Sequence, residues 1–201
     1  MAVTQIVDMA DVLAFIFRGA SATDAQIGRI QFLKPRVEAA IRQEIGSGVV
    51  QNTYTHYLPE IDPVQLREQN YYGSNLLRLP QFPVRSITSV YVDLGARFGQ
   101  TSGAFPESSL LTAGDDYFLE LDRSGLSRLG YLVRTSGQWP ADPGSIKITY
   151  VAGWSQDELR GNVTDPDLDA SLIQHATLIT FAEFWSDMVS RQNTAGQSGP
   201  I

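Results

Sequence analysis

The sequence has 201 residues, and its 15 Lys+Arg against 22 Asp+Glu give a net charge of −7. It contains no cysteine and two histidines, His56 and His175, which excludes disulfide scaffolds, thiolate metal sites, cysteine nucleophiles and imidazole-rich metal clusters. The length suits one domain that buries a core without covalent staples, and no apolar run approaches the roughly 20 residues of a membrane-spanning helix.

Ile6, Met9, Leu13, Ile16 and Phe17 recur at helix spacing, with Gly19 as a stop. A second helix opens at Ser21 or Thr23, either a good N-cap, and its stripe of Ile27, Ile30, Leu33, Val37, Ile41 and Ile45 ends at Gly46. Pro35 lies inside that run, which predicts a kink or two shorter helices. The period then changes to two. Val49–Leu58 reads as a strand, Pro59–Tyr72 as a loop, and Leu76–Leu79 leads through Pro80 and Pro83 into a strand over Val84–Asp93.

Gly95–Asp115 is rich in Gly, Ser and Thr and has no steady periodicity, as in an arm reaching a neighbouring molecule or an unstructured surface insertion. Tyr117, Leu119 and Leu121 form a half-buried strand, Asp122–Gly125 a turn, and Leu129, Tyr131 and Val133 the hairpin partner. Ile146, Ile148 and Tyr150 mark the last strand. The last helix is capped by Thr164 or Asp165, with Pro166 in its first turn and Asp167 and Asp169 at its positive dipole end. Leu168, Leu172, Ile173, Ala176 and Ile179 form one apolar side, and Leu178, Phe181, Phe184 and Trp185 widen it. A helix so broadly apolar is either central to a core or buried against another subunit. The tail from Val189 to Ile201 is polar and expected to be disordered in the free monomer.

The chemistry available to an enzyme is thin. His56 sits in a predicted strand and His175 on the last helix, neither near a nucleophile motif. Asp115 and Asp116 read as a loop edge, and Asp165, Asp167 and Asp169 as caps. Gly95, Gly99 and Gly103 lack the Gly-Lys-Ser/Thr ending of a phosphate loop. Tyr71, Tyr72, Trp139 and Trp154 read as core anchors rather than stacking platforms. Asn162-Val163-Thr164 matches a glycosylation acceptor, but no secretory cleavage pattern accompanies it. No catalytic residue, metal site or cofactor is expected. Only Lys34 and Lys147 are lysines, and the arginines are scattered singly, without the basic stripe that phosphate tracking needs.

Four stretches stand in a telling order: LRLPQFPVRSITSVYVD at Leu77–Asp93, YFLELDRSGLSRL at Tyr117–Leu129 followed by Trp139-Pro140, ITYVAGW at Ile148–Trp154, and DPDLDA at Asp165–Ala170. Their collinear order over about residues 22–188 resembles the head–tail connector (adaptor) proteins of tailed bacteriophages. The helix before Ser21 and the Gly95–Asp115 stretch are larger than in compact members. The resemblance implies an α+β fold with N-terminal helices, a central antiparallel β-sheet of hairpins and a long C-terminal helix. It also implies a single adaptor domain over residues 1–201, with a helical extension at 1–20, a long loop at 95–115 and a flexible tail at 189–201.

By the same resemblance the protein is a non-enzymatic virion component, made in the host cytoplasm and placed in the neck between capsid and tail. It forms a ring below the portal, dodecameric in the family, that extends the DNA channel and offers a platform to a stopper or tail-completion protein. DNA passes through without sequence-specific binding, no membrane is involved, and some Asp and Glu residues are expected to face the channel. Trp185, Met188, Arg191 and Ile201 are the implied portal contacts, and Arg97, Phe98 and Phe105 the implied contacts to neighbouring subunits or the tail side. The alternatives are another neck or tail-completion protein, or a small carboxylate-dependent hydrolase.

Overall fold

The computed structural model describes residues 5–46, 48–59, 74–94 and 104–195, which fall into two compact units. The first joins the N-terminal residues to Gly46 with those from Ser155 onward, and the second spans Ser47–Trp154.

The helical unit opens with α1 (Met9–Phe17), capped by the Asp8 carboxylate, which accepts from Asp11 N at 2.8 Å. Arg18 and Gly19 end it with φ of 48° and 90°. Helix α2 (Asp24–Ile45) begins at Thr23, where Thr23 and Gln26 satisfy each other's backbone donors, and stops at Gly46 in the left-handed region. Pro35 does not divide α2: the helix is continuous across it, and Pro35 sits on the exposed face, where the carbonyl it leaves without a donor can meet water.

The start of the last helix also differs from expectation. Ser155 and Glu158 form a capping box for a one-turn helix, α3 (Gln156–Leu159). Asp165 caps only a 3₁₀ turn, Pro166–Leu168, and the long helix α4 runs over Ser171–Ala195. Asp169 takes over at its entrance by accepting from Ser171 N at 2.8 Å. Helix α4 thus continues past Val189, where the tail was expected to begin, and residues 196–201 lie outside those described. The buried residues of this unit include Ile6, Val7, Val12, Ile30, Leu33, Val37, Leu159 and Phe181.

A buried ion pair fastens the N-terminal segment. Lys34 Nζ lies 2.9 Å from Glu38 Oε1, and the same oxygen accepts from Ile6 N at 3.1 Å and Val7 N at 3.3 Å. Arg160 holds Asp8 and lies 3.7 Å from Asp11. A backbone N–H from Asp11 holds the Asp8 carboxyl below the usual carboxylate range, while burial pushes that of Asp11 up.

The described residues of the β unit form two three-stranded antiparallel sheets. One is ordered β1 (Asn52–Leu58), β6 (Ile146–Ala152), β3 (Val84–Val92); the other β2 (Leu76–Arg78), β5 (Tyr131–Arg134), β4 (Tyr117–Leu119). Strand β6 is central, and its alternate residues Ile146, Ile148, Tyr150 and Ala152 are fully buried. They join Leu58, Leu77, Val84, Val90, Tyr117, Leu132 and Trp139 in one core. The expected hairpin of β4 and β5 is present with Leu119 opposite Leu132. On β5, however, Leu132 faces the core, whereas Tyr131 and Val133 are half-buried and Leu129 is exposed. The phase of that strand is shifted by one residue, because Gly130 (φ 69°) turns the chain just before it and Leu126 fills the core first.

Candidate interaction surfaces

The sequence motifs turn out to mark tight geometry. Gly153 of the ITYVAGW stretch has φ 98°, and a Cβ there would come within 2.6 Å of the Val50 carbonyl carbon and oxygen. Gln51 N donates to Trp154 O at 2.8 Å and Trp154 N to Val49 O at 3.0 Å, so two backbones cross where only glycine fits. Trp139 is fully buried and its Nε1 donates to Asn75 O at 3.1 Å. Asp122 closes the turn before Gly125: its carboxylate accepts from Ser124 N, Ser124 Oγ and Leu126 N, and pairs with Arg128 Nε at 2.6 Å. The Ser124 hydroxyl foremost, with Arg128 behind it, lowers the Asp122 pKa to about 2.

Residues considered for chemistry have structural surroundings. His175 stands edge-on to Phe15 at 6.1 Å, and His56 stacks on Tyr54 at 6.2 Å. Asp116 accepts from Thr112 N at 2.7 Å, and the Asp115 carbonyl accepts from Thr135 Oγ1. Among the described residues no group of three or more His, Asp or Glu is placed to hold a metal ion, and no helix is long and apolar enough to cross a membrane. A shallow groove of about 170 Å³ beside the β4–β5 turn, lined by Glu120, Leu121, Arg128 and Leu129 among others, is smaller than the roughly 300 Å³ at which small-molecule pockets begin.

What the molecule offers instead is exposed apolar surface. In the β unit, Phe118, Leu121 and Leu129 project from the β4–β5 hairpin. In the helical unit, α4 buries only the side carrying Thr177 and Phe181, while Leu172 is 80% exposed and Ile179 43%. Of the apolar side read from sequence, Ile173 and Leu178 are half-buried and Leu172, Ala176 and Ile179 are not covered by this chain. Phe184 is exposed as well, and on α2 so is Phe32, roofed by the Arg36 guanidinium at 3.8 Å from the ring centroid. Sequence periodicity could not choose between a core helix and one buried against another subunit, since an outward apolar stripe has the same spacing as an inward one.

The implied contact residues are placed as follows. Trp185 is half-buried, its ring edge-on to Phe17 of α1 at 5.8 Å; Met188 is half-buried on the same helix. Arg191 is exposed and pairs with Asp187 at 2.8 Å. Phe105 lies between Tyr57 and Tyr91, at 6.2 and 6.1 Å, over a cross-strand row in which both tyrosines flank Lys147. The second half of the Gly95–Asp115 stretch is therefore fastened to β3, with Leu111 N donating to Val90 O at 2.8 Å. Arg97, Phe98 and Ile201 lie outside the described residues.

No family model and no curated protein matches the chain. The fold does match solved structures. One is a chain of a structure described as "Neck of empty GTA particle computed with C6 symmetry", 16% identical with a TM-score of 0.58, covering 92% of this chain and 82% of that one. Another, from "Virion of native gene transfer agent (GTA) particle", is 15% identical with a TM-score of 0.55, covering 90% and 78%. The chain thus shares its fold with proteins of gene-transfer-agent particles, one of them from the neck.

Proposed function

We propose that this chain is a structural virion protein, a head–tail adaptor that forms a ring below the portal, extends the DNA channel and gives the stopper or tail-completion protein a surface to dock on. The observation that carries the reading is the near full-length likeness to a chain of a gene-transfer-agent neck, which agrees with the motif order read independently from the sequence. Apolar side chains left open on α4, α2 and the β4–β5 hairpin give it the material for permanent contacts, which are more apolar than transient ones. In this reading the whole chain acts as one adaptor domain, and twelve copies follow the family pattern. The end of α4 with Trp185, Met188 and Arg191, together with Ile201, meets the portal. The 95–115 segment with Arg97, Phe98 and Phe105 meets a neighbouring subunit or the tail side. Net negative charge suits a conduit from which DNA must slide freely, with Asp and Glu facing the lumen.

The direct test mixes the purified chain with its portal and weighs the product. A complex with a ring of copies on the portal supports the reading, and no association at micromolar concentrations of both contradicts it. Substituting Trp185→Ala together with Arg191→Glu should weaken that complex at least about tenfold, because both an aromatic anchor and a charge contact are removed.

A further inference from the structure

The outward face of α4 carries Leu172, Ala176, Ile179 and Glu183, and the outward face of α2 carries Gly28, Phe32, Pro35 and Ala39. All eight are exposed. Each face lies opposite the side its helix buries: Thr177 and Phe181 on α4, and Ile30, Leu33 and Val37 on α2. The two helices pack on one another within the helical unit. Their open faces therefore look away from each other, on two sides of the same unit.

The two faces differ in relief and charge and match in spacing. The α4 face is a ridge, with Leu172 80% exposed and Ile179 43%, and with Glu183 at its end. The α2 face is low at its two ends, where Gly28 is open to solvent and Ala39 is small, and carries Phe32, 57% exposed, under Arg36 between them; Arg29 flanks it. Glu183 pairs with no basic side chain, and Arg36 with no carboxylate, among the described residues. Along each helix the four positions step by four, three and four residues, which spans about 16 Å at 1.5 Å per residue. The stripes stay in register whichever way the helices run.

We propose that these faces meet each other in two copies of this chain: the α4 ridge of one copy seats on the α2 face of the next, with Glu183 beside the Arg36 guanidinium group. A self-complementary patch would make a closed pair, whereas two unlike faces on opposite sides repeat head to tail and close into a ring when the rotation per step allows. The proposal rests on the ring-forming reading above and gives it a seam.

The absence of cysteine makes the test clean. Full-length Phe32→Cys, Ile179→Cys and the double variant are treated at high concentration with a short bis-maleimide, and the products are resolved by mass. The seam predicts a ladder from the double variant, a dimer from the two single variants mixed, and monomer from each alone. Adding Leu172→Asp to the double variant should remove the ladder while leaving the circular-dichroism melting curve unchanged. A dimer from Ile179→Cys alone, no product from the double variant, or a ladder that survives Leu172→Asp overturns the seam. The adaptor reading has its own readout, the presence of the chain in purified particles, so the two fail separately.

Discussion

The two compact units differ in how their exposed apolar residues are arranged. In the β unit the large side chains of β6, β3, β2 and β5 close on one another around Trp139, and its exposed apolar residues are dispersed over strand ends and connections: Tyr57, Leu94, Leu110, Phe118, Leu121 and Leu129. In the helical unit α2 and α4 each bury one side and leave the other open. The helical unit thus gathers its exposed apolar residues on continuous helix faces, whereas the β unit closes one core around Trp139.

Substitutions sharpen that contrast. Gly153→Ala strikes the β unit where two backbones cross. Left-handed strain and overlap together should cost about 4 kcal/mol, read as a fall in the denaturant midpoint. Glu38→Ala strikes the helical unit by stranding Lys34 and the Ile6 and Val7 donors, at about 3 kcal/mol. The loss should be visible as faster hydrogen exchange in α1.

Asp122→Asn sits at the half-exposed rim of the β unit and acts through pH. The folded Asp122 pKa of about 2 lies below the value of 3.8 expected of a free Asp. Its contribution is therefore present above about pH 4 and is lost as pH falls through 2, so the wild-type advantage over the variant should shrink across that window. Exposure of both Asp122 and Arg128 keeps the difference at pH 7 under about 1 kcal/mol. Smallest of all on folding is Leu172→Asp, within about 0.5 kcal/mol because the side chain touches little in one copy. If that substitution unfolds the free chain, the open face belongs to the fold and the contrast between the units is wrong.

Much of this was legible in the sequence. Thr23, Gly46, the alternation through Tyr150 and the hairpin around Asp122–Gly125 each rest on local chemistry that a sequence displays. Three misses have physical causes. Ser155 and Glu158 carried a readable capping-box signal for α3, but a single turn offers no periodicity to support it. Two capping aspartates, Asp165 and Asp169, stand four residues apart, and only the backbone decides that the first serves a 3₁₀ turn and the second α4. Pro35 stays within a helix because its position faces outward. The interaction surfaces were legible only in outline. The breadth of apolar residues on α4 left a core position and a second partner both open, and which side the chain covers itself is a property of tertiary packing.

The motifs that prompted the resemblance teach a related point. Gly153, Trp139 and Asp122 hold a crossing, a core and a turn, so they report the fold rather than the contact surface.

Image reconstruction of the neck of purified particles tests the central claim most directly. The account predicts this chain as a closed ring between portal and tail, with its helical and β units both ordered. Finding particles complete without it, or finding it elsewhere in the virion, would contradict the account.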